Sequence, residues 1–282
     1  MSVCVCLLVH GSREYFAVAG EAVTSILDNS RFDVFAALGG GGRLRSWSPR
    51  LRRTRLDTAE AGAGRPYRFL LKFKAVQRCL EETSHDHIIL MDADVVLATA
   101  LSEADLVAAL GRAGIGMVVQ PRVRGGETGP AELHDHYLRH AHALIVPDQP
   151  VPNRAAFRYF NSGVVVARRE ALEPLVDWAL ADIAGKRGRH EIGVHMVADQ
   201  DYFQVWANVL RPGDCTELPW SWNHCEHWDD GFPRDDAVFA HFSNFCNGPA
   251  ATTRARMRHL RQAGGGRGRP LTGWLDRFRT VR

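Results

Sequence analysis

The chain lacks any apolar run of about 18 residues, so no segment is expected to cross a membrane as a helix. It also lacks a Cys-x-x-Cys pair. Its six cysteines lie apart, at 4, 6, 79, 215, 225 and 246. That spacing excludes a small disulfide scaffold and fits reduced, mostly buried thiols in a cytoplasmic protein. The start, Met1-Ser2-Val3-Cys4-Val5-Cys6, has neither the basic segment nor the small-residue cleavage site of a secretory leader. No internal repeat and no linker-like stretch divides the sequence. What is present is the make-up of a globular domain. The 282 residues are 45% hydrophobic and 24% charged, enough to bury a sizeable core and stay soluble.

Charge is unevenly spread around a net +3. Residues 43–55 hold six arginines and no acid, and residues 251–282 hold nine arginines against Asp276 alone. The rest of the chain is therefore net negative. The two basic segments are expected either to face solvent, as a loop and a frayed tail, or to meet phosphates or acidic lipid.

Apolar runs over 3–9 and 32–38 read as buried strands. The first enters a loop over 10–15 and the second is stopped by glycines 39–42. Residues 43–55, with Pro49 and no apolar period, read as loop. Pro66 suits the first turn of a helix, and Phe69, Phe73, Val76 and Leu80 give that helix an apolar face. Residues 87–97 read as a strand broken by two aspartates. Ser102 and Asp105 frame a helix start. A strand at 115–120, an exposed loop at 121–130, a helix at 131–145 and a strand at 159–167 follow. Then come a helix at 170–184, a loop at 185–195, a helix from Asp199 and a late strand at 237–242. This alternation predicts an α/β domain with a largely parallel sheet over 1–250 and a basic appendage over 251–282.

The sharpest signal is His87-Ile88-Ile89-Leu90-Met91-Asp92-Ala93-Asp94-Val95-Val96-Leu97. Carboxylates are not left unpaired in a buried sheet, because desolvation costs several kcal/mol or more. At the carboxyl end of a parallel strand they would face the crevice where ligands bind. Their i, i+2 spacing aims both one way, and two hard oxygen donors suit Mg²⁺ or Mn²⁺. The plainer reading is a strand end that caps a turn.

Asp92-x-Asp94 resembles the D-x-D motif of GT-A glycosyltransferases, and further segments follow in the family's order. Leu71-Lys72-Phe73-Lys74 precedes it. Phe160-Asn161-Ser162-Gly163-Val164 is similar to the family's F-N-[AS]-G strand, and Ala198-Asp199-Gln200-Asp201 to its D-Q-D helix start. Leu218-Pro219-Trp220-Ser221-Trp222-Asn223 and Ala240-His241-Phe242 resemble its L-P…W-N and H-[FY] elements. The likeness covers residue 1 to about 250. It is nearest to retaining enzymes of the family 8 kind, such as glycogenin and bacterial lipooligosaccharide galactosyltransferases.

The resemblance implies a GT-A fold with a nucleotide-sugar half over 1–120 and an acceptor half over 121–250. It implies Mn²⁺ or Mg²⁺ on Asp92, Asp94 and His241, bridging the diphosphate of a donor for which UDP is the favoured nucleotide. Arg68 and Lys72, one turn apart, can hold a phosphate or a sugar hydroxyl. Asn161 is expected to read sugar hydroxyls, with Gly163 allowing close approach. Asp199 would bind the sugar, Gln200 would lie near the anomeric carbon, and Asp201 would share their helix start. Tyr15 could stack on the base. In this class the leaving phosphate is thought to deprotonate the acceptor on the same face, so no enzyme base is assigned. Trp222, His224 and Trp228 are candidates for an acceptor pocket that takes a small molecule, a glycan or a peptide. A nucleic-acid partner is not expected.

The sequence departs from the family at two places. Asn247 stands where a diphosphate-clamping lysine is expected, which leaves an arginine from 254–261 to substitute. The segment 10–15 lacks an early aspartate. Three other readings stay open. Glycines 39–42 resemble the phosphate loop of sugar nucleotidyltransferases, although here a strand comes before the one they follow. D-x-D also occurs in haloacid-dehalogenase-like phosphatases. A GT-A scaffold could bind nucleotide-sugar without turnover. Among His134, His136, His140 and His142, the pair at 136 and 140 has helical metal-ligand spacing, but Tyr137 occupies the zincin glutamate position.

Overall fold

The computed structural model describes residues 2–57, 65–121, 129–188, 198–225, 236–242 and 250–264. Its spine is a seven-stranded sheet built from β1 (Val3–His10), β2 (Asp33–Gly39), β3 (Leu51–Arg55), β4 (His87–Met91), β6 (Ile115–Val119), β7 (Phe160–Arg168) and β8 (Cys215–Leu218). The strand order is β3-β2-β1-β4-β7-β6-β8. β7 runs antiparallel to both of its neighbours, and the other four pairings are parallel. This is the mixed, mostly parallel α/β sheet of the GT-A fold.

Both faces of the sheet are covered, so its central strands read as near-continuous apolar runs. β1 shows the two-residue period directly. Val3, Val5, Leu7 and Val9 enter one core cluster, while Cys4 and Cys6 enter the other. The first cluster is covered by α1 (Arg13–Asn29), α3 (Glu103–Leu110) and α8 (Ala250–Gly264). The second is covered by α2 (Arg65–Glu82), α4 (Pro130–Tyr137), α6 (Arg169–Gly188) and α7 (Asp199–Val205). Between Tyr137 and Ile145 the helix widens through a π-helical turn, Leu138–His142, into α5 (Ala143–Ile145). Among the described residues the five cysteines are free, with Cys79 Sγ 3.9 Å from Cys4 Sγ. No helix there is long and apolar enough to cross a membrane.

A smaller sheet positions the chemistry. After Asp94 the chain leaves the main sheet as β5 (Val95–Leu97), which pairs antiparallel with β10 (Phe239–His241). β10 pairs in turn with β9 (His224–Cys225). The register sets Val95 opposite His241, so pairing alone carries the late histidine to the aspartates.

Several expectations need correction. Residues 10–15 are not all loop. Ser12 caps α1 by accepting from the Tyr15 N–H, and the buried Phe16, Ala19, Val23 and Ile26 give the helix its apolar face. Residues 43–55 end in β3, an edge strand whose Leu51 is buried while Arg52, Arg53 and Arg55 face water. Arginines disguised it because an edge strand needs only one apolar face and tolerates charge on the other. α6 runs to Gly188 and takes over part of the loop expected at 185–195; the remainder, like most of 121–130, lies outside the described residues.

Residues 250–264 are a docked helix, not a frayed tail. Met257 and Leu260 enter the first core cluster, and Arg254, Arg258 and Arg261 converge on buried Glu21 of α1. Arg261 also pairs with Asp28. Residues 265–282 lie outside the described residues. Glu21→Ala leaves three guanidinium groups facing one another, and is expected to lower stability by about 2 kcal/mol and to free α8 for limited proteolysis. An unchanged urea midpoint with α8 still protected would contradict this account of how the helix is held.

Candidate active site

β4 delivers Asp92 to the carboxyl edge of the sheet. The Asp92 N–H donates to Gly163 O at 2.8 Å, and the Val95 N–H donates to Asp92 O at 3.2 Å, which closes a tight turn around Ala93. The Phe242 N–H donates to Asp94 O at 2.9 Å and holds the end of β10 against that turn. His241 Nε2 then lies 3.5 Å from Asp94 Oδ1 and 3.9 Å from Asp92 Oδ2. One ligand atom from each of these three residues falls within 4.8 Å of the others. It is the one such group among the described residues.

Lys72 of α2 reaches the cluster from the other face of the sheet. Its ammonium is buried, and it donates to Asp92 Oδ1 at 2.7 Å, to Asp199 Oδ2 at 2.6 Å and to Ser162 O at 3.1 Å. Those bonds use all three of its protons. Burial disfavours the charge, but Asp199 and Asp92 outweigh it and hold the Lys72 pKa above the ordinary lysine range.

The same forces divide the two aspartates. Burial pushes Asp92 up, and the nearby Lys72 and His241 offset it only in part. At Asp94, burial is overcome by His241, and its carboxyl lies below the usual range. Burial would lower His241, yet Cys225 and Asp94 raise it well above a free imidazole. Lys72 thus pairs with two carboxylates, Asp92 and Asp199, while Asp94 faces His241. Two carboxylates and an imidazole form a donor set that suits Mn²⁺ better than Mg²⁺. Asp92 keeps 29% of its side chain exposed, which leaves an open side for ligands.

A chain of amides orients His241. The Gly163 backbone N–H can only donate, and it bonds Asn161 Oδ1 at 2.8 Å. Asn161 therefore presents oxygen to Asn223, whose Nδ2 donates at 2.6 Å. Asn223 then turns Oδ1 toward His241 Nδ1 at 3.1 Å. That nitrogen must carry hydrogen, which leaves Nε2 as the atom aimed at the aspartates. At its other end, Asn161 Nδ2 donates to Gln120 Oε1 at 3.0 Å, and Gln200 Nε2 donates to the same oxygen at 3.1 Å. A Cβ at Gly163 would meet His241 Cε1 at 2.3 Å. The glycine is thus needed for the imidazole to pack against β7.

The structure brings together Asp92, Asp94, His241, Lys72, Asp199, Asn161, Gly163 and Gln200, and alters some of their expected roles. Asn161 is buried with both ends of its amide engaged, so it braces the cluster and is not a free reader of sugar hydroxyls. Asp201 turns back to cap α7, accepting from the Ala198 N–H at 2.7 Å. Burial, reinforced by Asp199, pushes its pKa up to about 7 despite that bond. Trp222 packs in the core, 6.1 Å from Phe239, and offers no open sugar platform. His224 is buried, 4.1 Å from Trp220. Tyr15 lies part-buried in the first turn of α1, at the carboxyl end of β1. The Arg68 side chain, Trp228 and Asn247 lie outside the described residues.

The arginines expected to replace the missing lysine are mostly committed elsewhere, since Arg254, Arg258 and Arg261 serve Glu21. His136 and His140 lie ring to ring at 4.4 Å without an acid completing a metal group among the described residues. The glycine run has packing reasons. A Cβ at Gly42 would strike Phe16 at 2.3 Å, and Gly40 has a φ of +82°. Sequence reasoning missed Ser162, Asn223 and Gln120 as working parts. Ser162 Oγ donates to Asp199 at 2.9 Å. Their signal was a run of polar side chains at otherwise apolar strand ends.

Asn223→Ala removes the partner of His241 Nδ1. It is expected to weaken binding of Mn²⁺ about 10- to 100-fold, read from the free-ion electron paramagnetic resonance signal, with little loss of helix by circular dichroism. Wild-type affinity in the variant would contradict the orienting role.

No protein-family model matches the chain, and no curated protein sequence matches it. Solved structures do match in fold. One is the bifunctional glycosyltransferase WbbM in apo form, with a TM-score of 0.54 and 13% identity, covering 92% of this chain. This chain spans about half of that protein, 52% of its length. Another is mouse xyloside xylosyltransferase 1, also apo, with a TM-score of 0.49 and 17% identity over 88% of this chain and 99% of that one. At 13% identity the likeness to WbbM is one of fold.

Proposed function

We propose that the chain is a metal-dependent glycosyltransferase that moves a sugar from a nucleotide-diphosphate donor, with UDP favoured, to an acceptor with retention of anomeric configuration. The observation that carries this reading is the Asp92–Asp94–His241 group, open on one side and flanked by the Lys72–Asp199 pair, at the carboxyl edge of a GT-A sheet. Ligands of open α/β sheets bind at that edge. A divalent cation held there supplies Lewis-acid neutralisation of the departing diphosphate.

The protein's own part is binding and orientation. Lys72 and Ser162 fix Asp199, whose carboxylate is left to accept from sugar hydroxyls. Gln120 fixes Gln200 beside it, near the reacting carbon. Asn223 keeps His241 Nε2 aimed at the aspartates. No side chain is assigned as base, because the leaving phosphate can take the acceptor proton on the same face. Residues 1–250 carry the catalytic groups in this reading, with α8 docked against them and the nucleotide on the first 120. A cytoplasmic location goes with it, where the buried thiols would stay reduced. The acceptor is a small molecule, glycan or peptide.

The purified chain should hydrolyse a UDP-sugar slowly in Mn²⁺, and Asp92→Asn/Asp94→Asn should lower that rate by about 100-fold or more. The released anomer, read by proton NMR, tests retention. Tight binding without hydrolysis would favour a non-catalytic binder. Diphosphate release from a sugar-1-phosphate and a nucleoside triphosphate would sink the transferase reading in favour of a nucleotidyltransferase.

A further inference from the structure

Trp47 is 89% exposed, the largest side chain left open among the described residues. An indole left in water forgoes the burial of some 150–250 Å² of mostly apolar surface. Its position is built, not frayed. Leu44 is buried as an anchor beside it. Arg55 donates to Gly40 O at 2.6 Å and to Gly42 O at 3.1 Å, and Arg53 donates to Ser46 O. The close fit of Gly42 over Phe16 holds the segment from below. Two arginines of edge strand β3 thus tie down the turn that displays the tryptophan.

The surroundings are cationic. Arg43 and Arg45 are exposed and line two adjoining clefts. One cleft, about 450 Å³, holds Trp47 with Arg53 and Arg55. The other, about 990 Å³, runs to Arg13 and to the arginines of α8. Its acids are Glu14 and Glu21, and Glu21 is buried under three guanidinium groups. The two basic segments of the sequence therefore meet on one face, with an apolar ring at its margin.

We propose that this face docks on an anionic phospholipid surface. Arginines bind lipid phosphates as forked donors, and the indole enters the interfacial zone that suits an apolar ring carrying one polar N–H. Neither element alone gives stable attachment; together they give the two signals that it needs. A single-stranded nucleic acid is the weaker fit, because such sites use a series of aromatic platforms and among the described residues Trp47 is the one large aromatic ring left exposed. β1, β2, β3 and β4 run parallel, so Arg55 and Asp92 lie toward the same edge of the sheet. Docking brings the candidate crevice to the bilayer side. The proposal does not depend on the transferase reading.

The test is co-sedimentation of the whole chain with vesicles of phosphatidylcholine alone, or with about a third phosphatidylglycerol. Binding is expected only to the anionic vesicles, falling steeply with salt. Arg43→Ala/Arg45→Ala should weaken it about 25-fold, taking about fivefold per arginine near the surface. Trp47→Ala should weaken it about tenfold. Both variants should keep the wild-type melting temperature, because these side chains are exposed. Equal binding to neutral vesicles, no binding to anionic vesicles at low salt, or variants that bind like wild type would each overturn the proposal. So would capture by heparin or a single-stranded oligonucleotide through the same residues while vesicles are ignored.

Discussion

The buried ammonium of Lys72 is the contact on which the site depends. It ties three elements that the chain order separates: α2, which carries it, the end of β4 through Asp92, and the start of α7 through Asp199. An isolated buried charge is costly, and removing one partner of such a pair strands the others. With all three protons used, the lysine holds two carboxylates close together within a protein interior. Their proximity in turn makes the Asp92 side of the cluster demand a second cation. His241 lies beside both aspartates to meet that demand, as an imidazolium or as a ligand to a cation.

The rest of the polar interior follows from one backbone donor. The Gly163 N–H fixes which end of Asn161 is oxygen, that choice fixes Asn223, and Asn223 fixes the imidazole. The same strand supplies Ser162 to Asp199 on one side and Asn161 to Gln120 on the other, and Gln120 in turn accepts from Gln200. β7 therefore works as a positioning strip between the Asp92–Asp94–His241 cluster and the start of α7. Its antiparallel sense, which breaks the parallel run of the sheet, brings its N-terminal residues to the edge where β4 ends.

Much of this was legible in the sequence. The two carboxylates in an apolar strand, the polar break at 161–163 and the acids at 199–201 are chemically out of place in a core, and each lies at the cluster or beside it. Strand boundaries held where apolar runs were bounded by glycine or charge. What could not be read was which polar groups would be consumed by one another. Asn161 and Asp201 have the chemistry of ligands, but their partners, Asn223 and the Ala198 N–H, come into reach only through β10 pairing and the first turn of α7. Trp222 has the look of a sugar platform until Phe239 packs beside it. β3 and α8 were hidden by arginine, because charge patterns report what faces water and not whether the backbone beneath is ordered. Glu21, the residue that organises α8, lies more than 230 positions away from the arginines it binds.

The central claim is that Asp92, Asp94 and His241 form a cation site that belongs to a diphosphate ligand. Calorimetric titration of Mn²⁺ into the intact chain, with and without UDP, tests it most directly. The account predicts one ion per chain, bound more tightly when UDP is present, and lost in His241→Ala. Mn²⁺ affinity that is indifferent to UDP, or that survives the loss of His241, would contradict it.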